Sequence, residues 1–512
     1  MIKKYKKKSH KKESSNINPF LYVNQWIYNI YNSNYFWPAC VSIVIGLFIF
    51  AQSFRYEFLS YDDEKHILEN PYFHPLTLQS LWYLWTHSYF GLYVPFVYTV
   101  WGLAYQISQK SWWFHVINFN FHILNSILVF ALILTFIKKY HNKIILDSAH
   151  FIAIAFAIAI FTTHPLQVHA ITWISELRGL LSVFLGLSAI HLWFVNTRLS
   201  YMFSVLCFTL GMLSKPSISY IPAILVVLVL VSLSKSFRLQ SLVIAFNKTI
   251  WYFISAFVVI FLNKQIQSDE GSIEFFPTIF EKIKIATNAF SFYLKNLIWP
   301  SHLMPIYLRP AKIVAQQEPW DVVGIFLIVT LVIVAIISFI KRKYLIFFGI
   351  VMIFLGVGPV LGVINFKYQN FSIVSDHYFY FSIAGVCVAL SGIILELQPF
   401  SHPYNILLIF LVSINVVFTM ISFNQVKMWA NDDTFYLTLI DKNPNHYIAY
   451  SVLGNMRSKQ LRFNEALRYL YKAYELNKEH YLTHQNLGVV LLNTGQFQKI
   501  IELSKEWFPI NE

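Results

Sequence analysis

Charge is what this chain has least of: Lys, Arg, Asp and Glu together make up 12% of its 512 residues, whereas 56% are hydrophobic and the mean hydropathy is +0.52. That balance excludes an ordinary soluble domain, whose surface needs about twice as many charges. Cysteine is nearly missing. Cys40, Cys207 and Cys387 lie singly in apolar segments without CxxC or CxxH spacing, so neither a disulfide framework nor a zinc site is implied. None of the 17 glycines falls in a phosphate-loop or dinucleotide pattern, which argues against a nucleotide-dependent enzyme. The first apolar stretch begins only near Trp37 and no small-residue cleavage site follows it, so an uncleaved first helix is expected rather than a signal peptide.

Long apolar runs fill the chain. Cys40–Phe54, Ala149–Thr163, Tyr220–Ser232 and Gly324–Ile340 are almost free of charge, each near the length that crosses roughly 30 Å of hydrocarbon. Several are slightly short, which calls for tilt or local thinning. The net charge of +14 does not point to nucleic acid, because the basic residues sit in the N-terminal tail and in short loops, where they act as topology signals.

With the Lys-rich segment 1–36 in the cytoplasm, spans are expected near 37–54, 114–137, 148–163, 177–195, 199–213, 218–233, 249–263, 320–340, 344–361, 378–396 and 404–423, about eleven in all. The cytoplasmic turns then carry Lys138, Lys139 and Lys143; Arg198; Lys235, Arg238 and Lys248; and Lys341, Arg342 and Lys343. Segment 93–106, with Pro95, is read as an interfacial helix. The external segments 55–113, 164–176, 214–217, 264–319 and 362–377 hold most of the acids, histidines and prolines near the membrane. The expected fold is all-α: a polytopic helix bundle over 37–423, followed by a small helical domain over 424–512.

In that last domain, Leu453-Gly454 recurs as Leu487-Gly488, Tyr447 as Tyr481 and Phe463 as Phe497, all 34 residues apart, the tetratricopeptide period. Two repeats are expected, about 445–478 and 479–512, with Gly454 and Gly488 allowing close approach of paired helices. Two are fewer than usually stand alone, so support is expected from the preceding segment Met428–Asp441 or from the bundle.

Chemistry concentrates on the external segments. Asp62, Asp63 and Glu64 follow the first span; they suit either a solvated collar with a helix cap, Asp63 capping a helix that starts at Glu64, or a general base held at the mouth of a lipid-accessible cavity. A second group comprises His164, His169, Glu176 and Arg178, the last at the head of an apolar helix where charge is costly. Lys215, Arg309, Asp376 and His377 fall on the same face. Taken singly, each cation is an interfacial anchor. Together, beside the acidic cluster, Arg178, Lys215, Arg309 and His377 form a clamp for a phosphate, with a base for a nucleophile. That combination fits transfer of a sugar from a polyprenyl phosphate, whose leaving phosphate needs positive charge but little protonation. No metal or other cofactor is required by this reading.

These residues resemble the transmembrane and tetratricopeptide repeat containing proteins and their bacterial relatives, within the C-type superfamily of membrane glycosyltransferases that includes the protein O-mannosyltransferases. The resemblance runs from Trp37 onward: Asp62-Asp63, "YVPFVYTVWGLAYQ", "FHVINFNFHILNSILVF", His164-Pro165, "LSKPS", Asp376 before an aromatic span, "VKMWAND" and the terminal repeats. It implies an inverting transfer from a polyprenyl-phosphate sugar on the external face of a bacterial inner membrane, with Asp62 or Asp63 as base and Arg178, Lys215 and His377 facing the lipid phosphate. It also implies a protein or glycan acceptor, a protein one being recruited by the repeats. The chain departs from its relatives at His169 and Pro216, where they often carry Glu, and at His377, where they often carry Arg. Other readings are a non-catalytic scaffold displaying the repeats, a surface-polysaccharide polymerase or ligase, and a transporter. A transporter would favour ionisable groups at mid-bilayer depth and inverted internal symmetry, neither of which is seen.

Overall fold

The computed structural model describes residues 36–141, 146–233, 239–266 and 275–507. The basic tail up to residue 35, together with Lys143, Lys235, Arg238 and the last five residues of the second expected repeat, lies outside the described residues.

Among the described residues the architecture is helical, with one isolated bridge between Tyr89 and Leu92. In chain order the helices are α1 (Phe36–Phe50), α2 (Leu78–Thr86), α3 (Pro95–Ile107), α4 (Ser111–Tyr140), α5 (Ser148–Thr163), α6 (Val168–Thr172) and α7 (Leu177–Val195). Then follow α8 (Arg198–Met212), α9 (Ile221–Ser232), α10 (Leu239–Ile266), α11 (Ile279–Ile298), α12 (Ala311–Gln316), α13 (Val322–Ile340) and α14 (Tyr344–Val357). The last are α15 (Tyr380–Ile394), α16 (His402–Val426), α17 (Asp432–Lys442), α18 (Tyr447–Lys459), α19 (Phe463–Leu476), α20 (Tyr481–Asn493) and α21 (Phe497–Trp507). Among the described residues six helices are long and apolar enough to cross a membrane, or seven if the bent pair Ser148–Thr163 and Pro165–Thr172 forms one span; four more apolar helices are shorter. These lengths are compatible with a multi-pass membrane protein.

Local chemistry sets the helix ends. The Asp147 carboxylate accepts from His150 N at 2.9 Å to start α5, Thr197 and Ser200 form a reciprocal capping box on α8, and Asp321 caps α13 through Gly324 N at 2.9 Å. Two expectations shift. The span expected at 249–263 belongs to a helix that begins ten residues earlier, at Leu239, because Asn247 and Lys248 interrupt the apolar run without breaking backbone hydrogen bonding. The polar segment 264–319 is not simply a loop: it contains α11, opened by a Thr278–Glu281 capping box, which buries Ile285, Ala289, Phe290, Tyr293 and Leu294, while Lys284 donates to the Ala315 carbonyl at 2.9 Å and Lys295 pairs with Asp321.

Helices α14 and α15 approach closely. A Cβ on Gly349 would collide with backbone atoms of Ala389 and Gly385, and one on Gly385 would stand 2.6 Å from the Gly349 carbonyl oxygen. Small residues at such crossings let backbones meet where the hydrophobic effect gives no drive.

The C-terminal helices rest on the bundle. Val426, Met428, Trp429, Phe435, Leu439, Ala449 and Leu453 share a core with Ile49, Phe50, Val168, Ile171 and Trp173. Helices α19 to α21 close a separate small core around Leu470, Leu487 and Leu491. The two repeat glycines differ: a Cβ on Gly454 would meet Leu470 at 2.5 Å, whereas Gly488 has nothing nearer than Trp507 at 3.8 Å. Close approach therefore requires glycine at 454 but not at 488.

Candidate functional site

The site begins where the chain leaves α1. The following loop is tied to the C-terminal segment, with Glu57 N donating to the Ala430 carbonyl at 3.0 Å and Ser60 N to Asp432 Oδ1 at 2.9 Å. The Tyr61 ring packs between Trp173 at 4.8 Å and Phe435 at 5.5 Å, and Trp173 Nε1 donates to the Tyr61 carbonyl at 2.9 Å.

The two aspartates that follow are not equivalent. Asp63 is buried, and its carboxylate accepts from Ser175 N at 2.9 Å, Ser175 Oγ at 2.5 Å and Leu59 N at 3.2 Å. The expected helix cap is not formed: Asp63 precedes the helical turn Glu64–Leu68, yet its side chain makes no cap hydrogen bond there because these three donors already hold it. Burial pushes its pKa up to about 7 against the opposing pull of those donors. Asp62 adopts the left-handed region at φ 71°, which Asp tolerates better than most residues. Its carboxylate is about one-third exposed, at 36%, and lies 3.8 Å from the Arg178 guanidinium. Desolvation raises its pKa and Arg178 opposes the rise.

Beneath this pair sits a buried charged cluster. The Lys215 ammonium pairs with Glu176 Oε1, while Glu176 Oε2 lies 3.9 Å from His377 Nε2 and has no hydrogen-bond partner. The carboxylate folds back over Gly179, and a Cβ there would have to displace it. Arg178 donates through Nε to the Ser175 carbonyl at 2.8 Å and rests on the Trp173 ring at 5.3 Å, leaving its terminal nitrogens directed towards Asp62. His377 Nδ1 bonds Ser375 Oγ at 2.9 Å. Against His377 stands the ring of His169, at 4.5 Å, buried with both nitrogens unpartnered.

Asp62, Asp63, Glu176, Arg178, Lys215, His169 and His377 are thus brought together; His164, Arg309 and Asp376, also expected at the site, are engaged elsewhere. His164 is a structural turn residue: Nδ1 accepts from Leu166 N at 3.1 Å and Nε2 bonds the Leu297 carbonyl at 3.0 Å. Arg309 is spent on Glu318 at 2.6 Å and Asn288 at 3.0 Å. Asp376 accepts from the Tyr307 hydroxyl at 2.6 Å, away from its neighbour His377, and its second oxygen is buried without a partner. The expected clamp of four cations is therefore narrower. Lys215 is neutralised by the buried Glu176, and Arg309 pairs with Glu318 in a partly exposed position. Only Arg178 keeps open donor capacity towards Asp62.

Sequence reasoning passed over Ser175, Tyr61 and Trp173, which orient the aspartates, and Tyr378, whose ring lies 5.7 Å from the Lys215 ammonium. Ser175 lies one residue before Glu176, and its hydroxyl beside a buried acid was the signal available.

Between Glu176, Gly179, Lys215, Tyr220, Gly356 and His377 lies a cavity of about 30 Å³, enough for about two waters. A separate apolar groove of about 460 Å³ lies between α9, α10, α13 and α14, lined by residues such as Val227, Phe253, Ile336, Val351 and Leu355. Among the described residues no three His, Cys, Asp or Glu side chains group as metal ligands. No protein-family model, no curated protein and no solved structure matches this chain.

Proposed function

We propose that this protein is a membrane glycosyltransferase of the C type, which moves a sugar from a polyprenyl-phosphate donor to a hydroxyl acceptor with inversion. One observation carries the reading. A partly open carboxylate, Asp62, is held beside a guanidinium near a Lys–Glu–His cluster, and α9 and α14, whose ends adjoin that cluster, also border an apolar groove. A donor of this class has the same sequence of parts: a sugar, a phosphate and a long apolar tail.

In the reaction, Asp62 takes the proton of the acceptor hydroxyl as its oxygen attacks the anomeric carbon. The bond from that carbon to the phosphate oxygen breaks, and the electron pair leaves with the phosphate. Arg178 meets the departing negative charge, as does Lys215 once the phosphate competes with Glu176 for its ammonium. Asp63 keeps the loop in shape and does not touch substrate. The bundle would present eleven spans, the six long helices, the bent pair and the four shorter apolar helices, with the site external and the N-terminus cytoplasmic. Helices α18 to α21 would form two tetratricopeptide repeats that recruit a protein acceptor.

The test is turnover of a polyprenyl-phosphate sugar by purified protein. General-base assistance is worth about 10² to 10⁴ in rate, so Asp62→Asn is expected to lower turnover by that order while donor binding stays near the parental level. Parental turnover in Asp62→Asn would remove the base assignment.

A further inference from the structure

At the opposite end of the bundle the ends of α4, α7, α8 and α9 and the first half of α10 surround a cavity of about 920 Å³. It lies far from Asp62. The 30 residues of α4 span about 45 Å at 1.5 Å per residue; near its head Asn118 donates to the Trp173 carbonyl at 2.9 Å, whereas Lys138 and Lys139 near its tail line this second cavity.

The lining is one-signed. Lys138, Lys139, Arg198 and Lys248 contribute four cations, and no Asp or Glu takes part. Among the described residues none of the four forms an ion pair with a carboxylate. The Lys139 ammonium instead lies 4.6 Å from the centre of the Phe194 ring and 5.5 Å from that of Trp193. The segment that follows α9, "LSKSFR", contains no acid, and the one acid between α4 and α5, Asp147, is engaged by His150 N at 2.9 Å and His150 Nδ1 at 2.8 Å. Four positive charges gathered round one cavity repel one another and call for an anion. Elsewhere on this end Lys343 does have a partner, Glu396 at 2.8 Å.

Large apolar side chains are exposed around the same cavity. Met202 is 67% exposed and Trp251 58%, both in its wall, and on α10 Phe246 at 53% and Val243 at 57% stand two and five residues before Lys248. A free inorganic anion would meet the cations alone and make no use of these lipid-facing side chains. An anion carried on an acyl tail covers both. Basic pockets between membrane helices, flanked by interfacial tryptophan, are suited to such head groups.

We infer that this cavity binds the phosphate head group of an anionic membrane phospholipid, with Lys138, Lys139, Arg198 and Lys248 as the phosphate ligands and Trp251 and Met202 along the tail. The site stands apart from the proposed transfer reaction and does not depend on it.

The full-length protein, purified in a neutral detergent, is titrated with short-chain phosphatidylglycerol, with phosphatidylcholine of the same chains and with inorganic phosphate, and bound lipid is counted by native mass spectrometry alongside thermal unfolding. Phosphatidylglycerol is expected to be retained and to raise the melting temperature in a concentration-dependent way, phosphatidylcholine to be retained at least tenfold less, and inorganic phosphate at millimolar concentration to give no comparable shift. The pairs Lys138→Gln with Arg198→Gln and Lys139→Gln with Lys248→Gln are each expected to weaken phosphatidylglycerol binding at least tenfold. Lys341→Gln with Arg342→Gln, which removes two cations that do not line the cavity, should bind as the parent does. Equal retention of the two lipids, or parental binding by both cavity variants, would overturn the inference. A shift by inorganic phosphate equal to that by phosphatidylglycerol would overturn the lipid assignment. Should one variant pair fail to fold, the other pair and the comparison between lipids decide.

Discussion

Asp62 and Asp63 are adjacent acids with opposite environments, and different outcomes follow when each is changed. Asp63→Asn puts an amide NH2 where one carboxylate oxygen now accepts a hydrogen bond. A buried donor left unsatisfied costs about 1–3 kcal/mol, so this variant is expected to show a lowered melting temperature, with residual activity tracking the fraction folded. For Asp62 the sign of the pH dependence follows from its environment. The base works ionised, so activity falls as pH drops through its pKa, and desolvation places that limb above the ordinary carboxylate range. Arg178 holds the pKa down from a still higher value. Arg178→Gln is therefore expected to move the acid limb of kcat/KM to higher pH, besides weakening donor binding; an unmoved limb would separate Arg178 from the base. Gly179→Ala makes a third case, because its methyl takes the space of the Glu176 carboxylate. Misplacement by about 1 Å can cost about 10² in rate, and a loss of that order with an unchanged fold by circular dichroism is the expected result. The residue scale is also where the sequence was least legible. That Asp62 is the open acid, that Lys215 meets Glu176 across 39 positions and that Arg309 is spent on Glu318 all depend on neighbours brought in by tertiary structure. The His164-Pro165 turn differs, since a side-chain acceptor followed by proline at the first helical position is a local pattern.

Elements were far more legible, because an apolar run long enough to span a bilayer has few alternatives to a helix. Helix α5 occupies 148–163 and α7 starts and ends at 177 and 195, both as the apolar runs foretell. Helix α10 departs from its expected span because polarity, and not helix-breaking chemistry, marked that boundary. Interhelical contacts were not legible, since a membrane helix shows little amphipathic period when lipid and protein are equally apolar. The crossing of α14 and α15 exemplifies this: Gly349 and Gly385 are required by each other's backbones, while Gly358 at the end of α14 has open space. Gly349→Leu is expected to abolish recovery of folded, monodisperse protein, and Gly358→Ala to leave it unchanged, as judged by size-exclusion chromatography in detergent. Normal recovery of Gly349→Leu would contradict the packing described.

Across the whole molecule, acids and histidines gather at one end of the bundle and unpaired cations at the other, and the C-terminal helices close over the acidic end. The 34-residue register was plain in the sequence and its shortness called for support, but the contacts that give it were not legible: His446 Nε2 bonds the Ile306 carbonyl at 3.3 Å, and Lys442 Nζ donates to the Leu303 carbonyl at 2.7 Å. Helices α17 and α18 therefore help to hold the site, whereas α20 and α21 lie beyond it in their own small core. Removing residues 479–512 is expected to reduce transfer to a protein acceptor while sparing transfer to a small hydroxyl mimic; equal loss of both would assign those helices a structural role. The most direct measurement is a structure of the full chain with a polyprenyl-phosphate sugar bound. The account requires the phosphate within hydrogen-bond reach of Arg178 and Lys215, the anomeric carbon turned towards Asp62 and the isoprenoid tail in the groove between α9 and α14. A donor phosphate bound elsewhere, with Asp62 facing only solvent, would contradict it.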